Sequence, residues 1–158
     1  MTAPGRDAEA ADREAVLAAN TALYESLERG DADALTEVWL SGADADDAGG
    51  VVCVHPGWPM LRGRARVLRS YMLIMANTEY IQFFLTDVEV ELVGDVALVT
   101  CTENILSSGE AEQEGELGPL VGGKVIASNL FRRTADGWRL WSHHGSPVLT
   151  SGDEEDED

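Results

Sequence analysis

His55 holds the position best suited to chemistry in this sequence. It closes the run Val51-Val52-Cys53-Val54-His55, and Pro56-Gly57-Trp58-Pro59 follow at once. The apolar, mostly β-branched residues 51–54 read as a buried strand. Pro56 keeps His55 extended and cannot donate to a ladder, so the strand stops with an imidazole at its tip. An imidazole, with an ordinary pKa of about 6.5, moves protons readily at neutral pH. A titratable ring with the Trp58 indole close behind it, on a rigid turn, suits the mouth of a small-molecule pocket.

Other residues could join it. His143 and His144 are neighbours on a predicted strand, so their rings point to opposite faces. Trp138 and Leu140 read as core, and the same parity runs through Ser142 to His144. His144 is therefore expected inward, and a bulge would invert that choice. Either Glu103 or Asn104 faces inward from a middle strand. Glu103, if inward, would orient a histidine or raise its basicity; its plain alternative is a carboxylate in solvent. Asn129, between Ala127 and Phe131, and Asn20, one helical turn from Val16 and Tyr24, could donate to a substrate carbonyl. Tyr24, Trp39, Tyr71, Met72 and Met75 are candidate cavity walls beside Trp58, with core packing as the default for those on helices.

His55, His144 and Glu103 could nominally form a two-histidine, one-carboxylate metal set. No local ligand spacing supports it, so no metal is expected. No phosphate-cradling glycine loop and no Ser-His-Asp or Cys-His arrangement is legible, and no cofactor is expected. Cys53 and Cys101 sit among apolar neighbours and read as inert, reduced thiols.

Recognisable elements must position these groups. Val16, Leu23 and Leu27 recur at helical spacing and predict a helix over 12–29, stopped by Gly30 and followed by the N-cap candidate Asp31. A second helix is predicted over 32–40, and a third over 64–77 with the stripe Val67, Leu68, Tyr71, Met72 and Met75. Strands are predicted over 51–55, 81–93, 96–106, 124–133 and 138–148, with tight turns at Gly94-Asp95 and Thr134–Gly137. Helices first and hairpins after give an α+β fold, with three helices on one face of a curved antiparallel sheet.

The 158 residues and 44% hydrophobic content suit one domain, expected over 12–149. Residues 1–11 and 150–158 read as disordered ends. The chain has 29 acidic and 11 basic residues, a net charge of −18. Without the six acidic residues 153–158 the balance is 23 against 11, still −12. Such a surface repels nucleic-acid phosphate and anionic lipid, so neither is an expected partner. No leader peptide or membrane-spanning run is legible, and a cytoplasmic protein is expected.

The segments Leu27-Glu28-Arg29-Gly30-Asp31, Val52 to Trp58, Leu61-Arg62-Gly63, Phe131-Arg132-Arg133-Thr134 and Gly137-Trp138-Arg139-Leu140, then Ser142-His143-His144, carry a resemblance. With this element order, the chain resembles the SnoaL-like group of the nuclear transport factor 2-like superfamily, over about residues 12–149. The resemblance implies a cystatin-like cone with an internal pocket, and a homodimer through the outer sheet face. Arg139, Trp141 and His143 are expected on that face. It also implies a small apolar organic ligand. In the ketosteroid isomerases of this superfamily the base ends the first strand, just before a proline, which matches His55. Their oxyanion-donating tyrosine matches Leu23, with Tyr24 one residue off, so that part does not carry over. The expected function is an isomerase, cyclase or dehydratase that uses His55 as acid or base on an apolar carbonyl compound, with His144 or Glu103 tuning it. The alternative is a non-catalytic ligand-binding or dimeric assembly module.

Overall fold

A computed structural model of the protein describes residues 4–42, 50–109 and 118–149. Among these are three helices, α1 (Pro4–Arg29), α2 (Ala32–Val38) and α3 (Arg64–Ala76). Six strands accompany them: β1 (Val52–Val54), β2 (Leu61–Arg62), β3 (Tyr80–Val93), β4 (Val96–Ser108), β5 (Val121–Thr134) and β6 (Gly137–Pro147). Helix α1 begins at Pro4, so residues 4–11, expected to be disordered, are helical. The acidic tail from 150 and residues 110–117, between β4 and β5, lie outside the described residues.

Helix α1 stops where Gly30 takes a left-handed conformation (φ 62°), which a glycine adopts without a Cβ clash. The Asp31 carboxylate then accepts from the Ala34 N–H at 3.1 Å and caps α2. Three carbonyls in the last turn of α2 and just beyond it are taken by Arg64, at the start of α3. Its guanidinium donates to Thr36 O, Trp39 O and Leu40 O at 3.0, 2.8 and 2.9 Å. One side chain thus ties the end of α2 to the head of α3.

The strands form one sheet in the order β2-β1-β6-β5-β4-β3, and with the helices on its inner face it is an α+β cone. Strands β3 to β6 are joined as antiparallel hairpins. One junction of this sheet is parallel: β1 runs alongside β6 in the same direction, with β2 outside it. That pairing follows from the chain path, because β1 precedes the hairpins and reaches β6 only after α3 and three long strands have intervened.

Register decides what the inner face carries. Ala97, Val99, Cys101 and Glu103 of β4 oppose Phe131, Asn129, Ala127 and Val125 of β5, and all eight are buried. Between β5 and β6 the register slips by one residue: Leu130 pairs with Ser142, but Phe131 pairs with Leu140. Trp141 is the extra residue of a bulge, which resets the alternation of β6. Trp138 and Leu140 face inward before it; His143 and Gly145 face inward after it.

Candidate active site

A cavity of about 410 Å³ opens between α1, α3 and the inner sheet face. His55, Glu103, Tyr24, Trp58, Tyr71, Met75 and His143 are among its walls. The expectation for the histidine pair is corrected. His144 is exposed and points away, whereas His143 is buried and lines the cavity. The bulge at Trp141 is the physical reason, since strict alternation from Leu140 fails across it. His143 likewise leaves the proposed outer face; Arg139 and Trp141 are half-buried, and Trp141 packs in part against the core.

His55 and His143 reach the same side by pairing. Cys53 is opposite His143, and Val54 opposite His144, in the parallel β1–β6 ladder. Cys53 and His55 are two residues apart, so they share the inner face. Pro56 ends β1, and His55 O accepts from Trp58 N–H at 2.8 Å, closing the turn. The Trp58 and Tyr71 rings meet the His55 ring edge-on, at centroid distances of 4.9 and 4.8 Å.

Hydrogen bonds fix the His55 ring. Ser70 Oγ donates to Val67 O at 2.6 Å, so its single hydrogen is committed. It must then accept from His55 Nε2, 2.8 Å away. Neutral His55 is the Nε2–H tautomer, and Nδ1 carries the lone pair. The Cys53 thiol is 3.9 Å from that nitrogen and donates instead toward Tyr71 Oη at 3.7 Å.

On the opposite wall, Tyr24 Oη donates to Glu103 Oε2 at 2.6 Å. Asn129 Nδ2 donates to Tyr24 Oη at 3.1 Å and to Asn20 Oδ1 at 2.9 Å, while Asn129 Oδ1 meets His143 Nδ1 at 2.5 Å. Asn20 and Asn129, expected to touch substrate, do not line the cavity; they bond to each other behind its wall. Trp39 and Met72 are also outside the lining. Trp39 packs behind Tyr71 at 5.9 Å between ring centroids, and Met72 packs against the core. Of the other expected walls, Trp58, Tyr24, Tyr71 and Met75 border the cavity, and Glu103 rather than Asn104 faces it. Asn104 donates to Phe84 O and Thr86 Oγ at the sheet edge.

Burial sets the charge states. It lowers His55 to about 4. It lowers His143 to about 3, helped by the fields of His55 and His144. Both rings are therefore uncharged at neutral pH. Burial raises Glu103 to about 7, partly offset by the hydrogen bond from Tyr24. It also raises Cys53 to about 12 and moves the Tyr24 and Tyr71 hydroxyls up, so these three stay protonated. Two neutral bases and one carboxyl poised near neutrality share a cavity with mainly apolar walls, an arrangement that can take a proton at one point and return one at another. Among the described residues, no group of three or more His, Cys, Asp or Glu is placed to hold a metal ion.

Two site residues escaped the sequence reading. Ser70 lies three residues after Val67 on the inward stripe of α3, a signal that a polar residue there needs a partner. Glu28 accepts from the Phe83 N–H at 2.8 Å in the cavity wall, a long-range contact with no local signature.

The family model of the SnoaL-like domain matches residues 16–150. A comparison with curated proteins gave no significant match. Among solved structures, a candidate dehydratase of the NTF2-like family from Streptomyces avermitilis is 65% identical, with a TM-score of 0.83; the match covers 89% of this chain and 98% of that one. A candidate scytalone dehydratase from Novosphingobium aromaticivorans shares the fold at 10% identity and a TM-score of 0.76, covering 92% and 90% of the two chains. A ketosteroid isomerase-like protein from Erwinia carotovora atroseptica does so at 18% identity and a TM-score of 0.68, covering 87% and 96%. No helix among the described residues is long and apolar enough to cross a membrane.

Proposed function

Because the chain belongs to the SnoaL-like domain family, within the NTF2-like group, we propose that it is an acid–base enzyme that dehydrates a small, mainly apolar hydroxy-carbonyl compound. The single observation that carries this reading is the convergence of an uncharged His55 and a Glu103 raised to about 7 on one cavity. His55 Nδ1 takes the proton from the carbon beside the carbonyl. Glu103 gives its proton to the hydroxyl on the next carbon. The C–H and C–O bonds break, a C=C bond forms, and one water leaves. The proton on His55 then returns to Glu103 through that water, which restores both groups.

The apolar walls support a ligand that enters largely dehydrated, which strengthens each hydrogen bond made inside. The dehydratase designation of the 65%-identical Streptomyces protein supports elimination over other proton transfers. Isomerisation would use the same two groups without loss of the hydroxyl. A dimer through the outer sheet face is retained as a proposal resting on Arg139 and Trp141, now without His143.

The test is turnover of a panel of uncharged β-hydroxy ketones, followed by the absorbance of the enone product. The expected result is conversion of at least one of them, slowed about a hundredfold or more in a folded His55→Gln variant. Equal rates in the variant would reject the reading. Saturable binding with no turnover would replace it with the non-catalytic ligand-binding reading.

A further inference from the structure

We propose that Asn129 is a positioning residue that holds His143 as its Nδ1–H tautomer, so that the cavity meets a second uncharged acceptor nitrogen, His143 Nε2, matched to a hydroxyl of the substrate. The inference rests on the site assignment above and adds what the second histidine does.

Asn129 is fully buried, and Asn20 is 1% exposed. Two amides among Val99, Cys101 and Phe131 cost free energy unless their polar atoms are partnered. Both Asn129 amide hydrogens are committed, one to Asn20 Oδ1 and one to Tyr24 Oη. Its carbonyl oxygen can only accept, so the hydrogen between it and His143 sits on Nδ1. Tyr24 in turn spends its own hydrogen on Glu103. Every bond from His143 to Glu103 therefore points the same way.

His143 Nε2 is left as a lone pair. It has no partner among the described residues, and the ring borders the cavity. His55 is held in the opposite tautomer by Ser70, whose hydrogen goes to Val67 O. The two rings thus present one acceptor each and, while uncharged, no free donor. A substrate hydroxyl satisfies His143 Nε2; an ether or ketone oxygen at the same point meets a lone pair. Hydroxyl-bearing ligands are selected at this wall, and their oxygen acceptors turn toward Glu103.

Imidazole ¹⁵N NMR on the ligand-free protein reads both tautomers without any need for turnover. Wild type should show hydrogen on Nδ1 of His143 and on Nε2 of His55. Asn129→Asp keeps the acceptor and should keep the His143 Nδ1–H signal. Asn129→Leu should lose that preference. For whichever β-hydroxy ketone is converted, its kcat should fall by about tenfold to a hundredfold while KM changes by less than about threefold. The Nε2–H form of His143 in wild type overturns the proposal, even if Asn129→Leu fails to fold. An unchanged tautomer in a folded Asn129→Leu protein does so too. Because the resonances are read without substrate, absence of turnover would count against the dehydratase reading and not against this one.

Discussion

The rings of His55 and His143 stand 6.4 Å apart, centroid to centroid, across the parallel pair of β1 and β6. Their separation is set by backbone pairing, because Cys53 and His143 are direct register partners and His55 follows two residues on. The geometry of the site is therefore inherited from the sheet, and changes to the sheet or to the buried carboxyl should be felt at the histidines.

Glu103 gives the first prediction. Its ordinary value is 4.5 and its folded value is about 7, so the folded state holds an extra proton between them. The stability this contributes is complete below pH 4.5 and is lost as pH rises through 7, an effect of about 3 kcal/mol. His55 and His143 act in the opposite sense. Their contribution is complete above 6.5 and is lost as pH falls through about 4 and about 3. Glu103→Gln should therefore match wild type in urea unfolding below pH 4.5 and exceed it above pH 8. A constant offset between the two proteins at every pH would contradict this assignment.

Gly145 gives the second. A Cβ there would lie 3.2 Å from Pro56 Cδ, Pro56 Cγ and Val125 Cγ1. Pro56 is rigid and directly follows His55, so the turn cannot yield without moving the imidazole. Gly145→Ala should cost about 1–3 kcal/mol in urea unfolding. Gly123→Ala is the control, because its Cβ meets nothing within 4 Å. Equal behaviour of the two variants would remove Gly145 from the account of how His55 is held.

Arg64 gives the third. Its guanidinium serves three carbonyls at the end of α2, and burial lowers its pKa. Arg64→Leu leaves those carbonyls without their charged donor and should cost about 2–3 kcal/mol in thermal or urea unfolding. Arg64→Lys should recover only part, since an ammonium is a point charge that cannot span the three as a planar fork does. Full recovery by lysine would show that charge alone suffices.

Much of the fold was legible because it follows local rules. The helical stripe of α1 ends at Gly30, alternation marks β3 and β4, and Gly94 and Gly137 turn the hairpins through left-handed conformations. What stayed hidden is non-local. The bulge at Trp141 has no signature in β6 itself; it exists because β5 and β6 pair one residue out of step. The parallel β1–β6 contact pairs residues 90 positions apart in the chain, such as Cys53 and His143. Arg64 reads as an ordinary surface cation until α2 and α3 are placed together. Tyr24 on α1 and Glu103 on β4 meet across 79 positions of the chain, a contact that no local spacing announces.

Val99, Asn129, His143 and Cys53 form one lateral rung across four strands. Groups mounted this way should exchange their backbone amides only when the whole domain opens, so the frame that holds the histidines and the global stability become one quantity. The gateway is built differently, from Trp58 on its turn, Arg29 at the end of α1 and Glu79 just beyond α3. Ligand preference can therefore drift at the gateway over evolutionary time while the rung behind it is preserved by the same forces that keep the protein folded.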